Sequence, residues 1–112
     1  MFIKNTWYVA CSVAELEALG DKPLGRTICN EKMAIFKGMD GKVAAVEDFC
    51  PHRGAPMSLG KACKNGLRCG YHGLEMGADG KTVHMPGQRV RGFPAVKAFA
   101  VVERYGFVWV WP

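Results

Sequence analysis

Two short stretches carry residue types that hold metals: Cys50-Pro-His52-Arg-Gly and, with sixteen residues between His52 and Cys69, Cys69-Gly-Tyr-His72-Gly. Each supplies one soft thiolate and one imidazole, set among glycine and proline; glycine lets a backbone turn into left-handed conformations and approach a ligand closely. Two such loops, side by side at the end of a sheet, would converge four ligands on one point. Two thiolates and two imidazoles make a familiar tetrahedral zinc site. Zinc fingers, however, pair like with like, two cysteines and then two histidines, whereas each stretch here mixes the two types. Mixed pairing suits a two-iron cluster in which both cysteines hold one iron and both histidines the other. Four unrelated core residues would need this matched spacing by chance. The chemistry expected of Cys50, His52, Cys69 and His72 is therefore one-electron transfer at a [2Fe–2S] cluster.

The elements that must position these loops are short strands. The chain has 112 residues and 12.3 kDa, with 49% apolar and 22% charged residues, so one globular domain is expected over residues 1–112. Fourteen glycines, about twice the usual share of roughly 7%, point to many tight turns. Ser12 and Glu15 form a capping-box pattern ahead of Leu16, Ala18 and Leu19, and Gly20 follows, which predicts one short helix over Val13–Leu19. Met33-Ala-Ile-Phe-Lys and Lys42-Val-Ala-Ala-Val flank a Gly38-Met-Asp-Gly41 turn, a hairpin signal. A second hairpin is expected around Ala78-Asp79-Gly80. A third would pair Phe99-Ala-Val-Val-Glu with Phe107-Val-Trp-Val-Trp across Arg104-Tyr105-Gly106. The fold class expected is all-β, a small antiparallel sandwich or barrel with two cluster-binding loops and one short N-terminal helix. Val108-Trp-Val-Trp-Pro112 is a strongly apolar strand without a polar tail. It reads either as a last core strand or, more sharply, as a chain cut at a domain boundary.

Charge and the remaining cysteines narrow the function classes. No apolar run approaches the roughly 18–20 residues of a membrane span, and Met1-Phe-Ile-Lys lacks the apolar stretch of a secretion signal; a cytoplasmic domain is expected. The net charge of +5 is uneven, −1 over residues 1–52 and +6 over residues 53–112. There is no run of Lys or Arg and no basic stripe interleaved with aromatics, so nucleic acid is not an expected partner; an acidic protein patch is. Five cysteines is an odd number that the cytosol would keep reduced. Cys11 ahead of the helix, Cys29 in a strand pattern and Cys63 on the loop between the boxes read as small hydrophobes or exposed thiols. His84 reads as a surface or satisfied histidine. Met85-Pro-Gly-Gln-Arg is either an ordinary turn or a third loop shielding the cluster. Trp7, Trp109 and Trp111 read as core and interface aromatics.

The pattern C-x-H…C-x₂-H resembles that of Rieske [2Fe–2S] proteins. Cys50-Pro-His-Arg-Gly-Ala-Pro with Leu59-Gly60, and Cys69-Gly-Tyr-His-Gly-Leu, are similar to the amino-terminal domain of Rieske non-haem iron oxygenases. Trp7-Tyr-Val-Ala, Leu24-Gly-Arg, Asn30-Glu-Lys, Val46-Glu-Asp-Phe, Gly73-Leu-Glu-Met, Met85-Pro-Gly-Gln-Arg-Val and Glu103-Arg-Tyr-Gly-Phe resemble one branch, the oxygenase components of vanillate O-demethylases. The resemblance covers all 112 residues and is most specific at the ligand boxes. It implies that each histidine holds iron through Nδ1. It also implies a mononuclear Fe(II) on a catalytic domain outside this chain, a flavin and iron–sulfur reductase as electron donor, a homotrimer, and a methoxylated aromatic acid as substrate. The chain would then be the electron-entry domain of a monooxygenase; the alternative is a free-standing Rieske-type ferredoxin. With three histidines, two of them in the boxes, the chain cannot itself complete a 2-His-1-carboxylate triad.

Within that resemblance the redox class can be argued from absences. Rieske subunits of respiratory complexes join their boxes by a disulfide, at positions that are Ala55 and Tyr71 here, and offer the cluster a serine hydroxyl where this chain has Leu74. Two thiolates and neutral imidazoles leave an oxidised cluster without net charge, which eases reduction relative to an all-cysteine cluster and couples electron uptake to imidazole protonation. Fewer hydrogen bonds to sulfur act the other way. The expected midpoint potential therefore lies near the bottom of the Rieske range. A redox titration giving a clearly positive potential near neutral pH would overturn that placement.

Overall fold

A computed structural model describes residues 5–87 and 92–112. Among the described residues the glycine-punctuated apolar segments form ten strands: β1 (Tyr8–Ser12), β2 (Leu24–Ile28), β3 (Glu31–Lys37), β4 (Val43–Glu47), β5 (Lys61–Cys63), β6 (Gly66–Arg68), β7 (Glu75–Met76), β8 (Thr82–His84), β9 (Ala98–Arg104) and β10 (Phe107–Trp111). A helix, α1 (Val13–Ala18), follows β1, and a 3-10 turn spans Met57–Leu59. Two antiparallel sheets result, one of six strands ordered β1-β10-β9-β4-β3-β2 and one of four ordered β5-β6-β7-β8.

The six-stranded sheet curls until its edge strands face each other. On β1 the register slips between Val9 and Cys11, so that Ala10 bulges and both Ala10 and Cys11 are buried. The Ala10 carbonyl accepts a hydrogen bond from Arg26 Nε on β2, the opposite edge, at 3.2 Å. Glu15 fastens the same corner: its Oε1 accepts from the Ser12 N–H in a capping box, and its Oε2 pairs with Arg26 Nη2 at 2.6 Å. The expected helix is present, one residue shorter than Val13–Leu19.

Strands β3 and β4 form the wall shared by two cores. Met33-Ala-Ile-Phe36 is apolar at every position because both faces are buried. Met33, Ile35 and Ala45 point into the barrel with Leu16, Val108 and Val110. Ala34, Phe36, Ala44 and Val46 point the other way, onto the small sheet and its loops, among them Leu67, Leu74 and Met76. The first loop leaves β4 and returns through the 3-10 turn into β5; the second joins β6 to β7.

The three expected hairpins are present as β3–β4, β7–β8 and β9–β10. Several local readings are corrected. Cys63 is not on a loop but buried in β5, because the segment between the boxes folds as the β5–β6 hairpin. Cys29 is not in a strand; it occupies the β2–β3 turn with φ +52°. Trp7 and Trp111 are not core residues but lie on the outer face of the barrel.

Where the two loops leave the small sheet their backbones touch. A Cβ on Gly60 would collide with the Arg68 carbonyl, and one on Gly70 would stand 2.7 Å from the Leu59 carbonyl. Gly60→Ala should therefore cost more than about 3 kcal/mol and impair cluster incorporation. Gly20→Ala, with open space around it and only its φ of +65° to strain, should cost about 1 kcal/mol. Thermal unfolding of the two variants checks the order, and equal losses would contradict the close approach.

Candidate metal centre

The two loops are built alike. In the first, the Cys50 N–H donates to the Ala55 carbonyl at 2.8 Å and the Gly54 N–H donates back to the Cys50 carbonyl at 2.7 Å. In the second, Cys69 N–H donates to Leu74 and Gly73 N–H to Cys69, at 2.7 and 3.2 Å. Gly54 and Gly73 both take left-handed φ values, +78° and +81°, which explains a glycine four residues after each cysteine. In this superposition of patterns His72 falls opposite Arg53, so the two imidazoles come from positions one residue out of step.

The four sequence-predicted residues meet as two pairs. Cys50 and Cys69 are both 2% exposed, and the Cys69 thiol is near enough to raise the Cys50 thiol. The imidazoles of half-buried His52 and exposed His72 stand edge to face, ring centroids 4.9 Å apart. Among the described residues no three His, Cys, Asp or Glu side chains converge as the ligands of one ion. Two pairs, thiol with thiol and imidazole with imidazole, are the division a two-iron cluster requires. His52 Nδ1 is shut off from solvent and has no hydrogen-bond partner. An orphaned buried nitrogen is costly and rare, and one lying at the loop pair fits a ligand position. Burial pushes the Cys50 thiol up; the backbone N–H groups of His52 and Arg53 pull it down, and the neighbouring Cys69 thiol raises it again. The balance leaves the thiol above its ordinary value, and the amides are the donors that a charged sulfur would use.

The surroundings are apolar. Met57, Leu67, Leu74, Met76 and Met85 pack in one cluster with both cysteines. No disulfide joins any of the five cysteines, and the Ala55 and Tyr71 positions offer none. Of the Met85-Pro-Gly-Gln-Arg segment, Met85 is buried in this cluster and Pro86 lies against Gly73, while Gln88 and Arg89 fall outside the described residues. Phe93, on the far side of those residues, meets His52 edge-on at 5.9 Å. Both described flanks thus pack on the two loops. Tyr71 covers one side of His72, ring centroids 4.0 Å apart. His84 is exposed on β8, away from any such contact, as the surface reading expects.

Sequence reasoning missed the clips at the loop necks. Asp48, two residues before Cys50, accepts from the Ser58 N–H at 2.7 Å and the Ser58 hydroxyl at 2.6 Å, tying β4 to the 3-10 turn. Arg68 and Glu75, which flank the second loop, face each other in the β6–β7 register with Nη2 to Oε2 at 3.2 Å. Glu75 is buried and also accepts from Asn65 Nδ2 at 3.0 Å and from Cys63 Sγ at 3.4 Å. An Arg before one box residue and a Glu after the last was the available signal: opposite charges at the two ends of a hairpin loop.

Residues 6–100 match the family described as the Rieske [2Fe-2S] domain. The chain is 66% identical over its full length to a vanillate O-demethylase oxygenase subunit of Pseudomonas sp. (strain HR199 / DSM 7063), covering 31% of that protein. It is 48% identical to the oxygenase component of dicamba O-demethylase from Stenotrophomonas maltophilia, over 99% of this chain and 32% of that one. The crystal structure of apo dicamba monooxygenase superposes with a TM-score of 0.87 at 46% identity, over 99% of this chain and 34% of that chain. The chain thus spans about a third of the length of the relatives it matches.

Burial pushes the Glu75 carboxyl up, but hydrogen bonds from Asn65, Cys63 and Arg68 together with the Arg68 charge outweigh it, leaving it below the ordinary 4.5. A carboxylate whose folded value is depressed stabilises the fold above its unfolded value and loses that contribution as pH falls through the folded one. Glu75→Gln should therefore lower the urea midpoint at neutral pH and narrow its gap to the parent as pH drops below about 4.5. Parallel pH profiles for parent and variant would remove Glu75 from this role.

Proposed function

Since the chain belongs to the Rieske [2Fe–2S] domain family, we propose that it is the electron-transfer domain, residues 1–112, at the N-terminal end of a longer Rieske non-haem iron oxygenase of the O-demethylating branch. The observation that carries the reading is the pair of like-built loops presenting two buried thiols beneath two imidazoles, one with an orphaned Nδ1. Cys50 and Cys69 would hold one iron, His52 and His72 the other. The bound cluster supplies storage and release of a single electron.

The chain's own residues explain how that electron would be handled. The apolar packing of Met57, Leu74 and Met85 keeps water from the thiols and offers no hydroxyl to the cluster sulfurs. His72 stands exposed, giving a short route out through an imidazole rather than through bulk protein. Beside the second loop, Cys69 and Gly70 share a groove of about 350 Å³ with Leu59, Lys22, Lys61 and Asp21. Arg53 is exposed next to His52. These cations suit the acidic face of a flavin and iron–sulfur reductase, with steering that weakens in salt. Among the described residues no helix is long and apolar enough to cross a membrane.

The oxygen-activating Fe(II), the homotrimer and the aromatic-acid substrate belong, in this reading, to the catalytic remainder of a cytoplasmic enzyme. The chain's third histidine, His84, is exposed on β8 and far from supplying a triad alone. A methoxylated aromatic acid is the substrate class favoured by the 66% identity to a vanillate O-demethylase subunit.

Cys50→Ala or Cys69→Ala should abolish the cluster, read as loss of both iron and acid-labile sulfide; a preparation that keeps them would refute the ligand set. His72→Cys should shift the paramagnetic spectrum and lower the potential where the cluster assembles, because a thiolate adds negative charge. Unchanged spectra would exclude His72. Reading the gene beyond codon 112 tests the rest: two histidines and a carboxylate downstream support the oxygenase, and an immediate stop leaves a Rieske-type ferredoxin.

A further inference from the structure

The outer face of β1, β10 and β9 is apolar where an antiparallel sheet ordinarily turns polar side chains to water. Register puts Val9, Trp109 and Val102 in one cross-strand row, Trp111 opposite Ala100 in the next, and Phe107 opposite Arg104 beyond. Trp7 meets Trp111 edge to face, ring centroids 5.4 Å apart. Trp7, Val9, Val102, Phe107 and Trp111 are each between 37% and 46% exposed. The residues that alternate with them on β10, Val108 and Val110, are fully buried, so this strand is apolar on both faces. A groove of about 350 Å³ opens on this face between Trp7, Val102, Trp109 and Tyr105. Its one charged residue, Arg104, holds the Trp109 indole through its carbonyl, at 3.1 Å.

We propose that this face is the seat of the remainder of the oxygenase polypeptide, the catalytic domain beyond residue 112. The inference rests on the reading of the chain as part of a longer oxygenase. Three observations select this occupant. Relatives of this chain are about three times its length, so on this reading a body twice the size of this domain accompanies it. The strand at the centre of the face, β10, is the one from which that body would continue, and a short tether gives a high effective concentration. The centre of the face lacks charge, as in permanent interfaces, whereas a reductase that docks and leaves favours a polar, charged one. The cluster loops pack on the outer face of β3 and β4, so a domain seated on β1, β10 and β9 leaves them uncovered.

The test is oxidative footprinting of the native-length gene product, with Tyr71 on the second loop as the exposed internal reference. Expected is loss of oxidation at Trp7 and Trp111 while Tyr71 reacts. Oxidation of the tryptophans as ready as that of Tyr71 would overturn the proposal. Val102→Lys, an exposed strand position, should restore their oxidation while leaving the cluster absorption intact; unchanged protection overturns it as well. Photo-cross-links from position 102 in mixed light and heavy chains should join residues of one isotopic class. Mixed-class cross-links would assign the face to a second copy instead. A gene product that ends at residue 112 would refute the oxygenase reading itself, and its mass shows this before any footprint is read.

Discussion

Everything in this domain depends on keeping two thiols side by side out of water while two imidazoles stay near its edge. Desolvation opposes charge on sulfur, so the loops must bring compensating donors with them. They do so through backbone amides, His52 and Arg53 toward Cys50, which no mutation of a side chain can remove. Amides point inward only where the loop winds tightly, and the winding depends on left-handed glycines at Gly54 and Gly73. The requirement for a dry sulfur pair with donors at hand is thus passed back to the sequence as glycine spacing.

The same requirement explains the architecture beneath. A dry site needs a rigid floor, and β3 and β4 supply one by being buried on both faces, barrel on one side and loop cluster on the other. Loops on such a floor can still splay at their necks. Asp48 with Ser58 closes the first and Arg68 with Glu75 the second, both by hydrogen bonds to carboxylates, which are stronger than neutral ones. Glu75 is the buried acid of the small sheet, and it stays ionised because three donors surround it.

The sequence made the two cysteine–histidine loops and the longer hairpins legible for one reason: both are written in spacing. Cys50, His52, Cys69 and His72 stand at fixed offsets, and β3–β4 and β9–β10 are apolar runs bounded by glycine. The β5–β6 hairpin escaped because three-residue strands leave no period to detect, which is why Cys63 read as a loop residue. Cys29 escaped because a non-glycine residue at φ +52° carries no turn signal of its own. The neck clips escaped for a different reason. Asp48 and Ser58 are ten residues apart and are joined only by the path of the loop, so nothing local marks them as partners.

The tryptophans show why burial cannot be read from hydropathy alone. On β10 the alternation of Val108 and Val110 with Phe107, Trp109 and Trp111 has no polar side, so the pattern does not say which face is inward. The structure settles it: the barrel interior holds Leu16, Met33, Ile35 and Phe99 together with the two valines, and Phe107 and Trp111 face out. The larger residues are turned outward although they are the more hydrophobic. An outward indole row costs solubility unless something covers it. On the proposed reading, the domain would then meet two neighbours of unlike chemistry, one polar and transient at the two loops, the other apolar and lasting along β10.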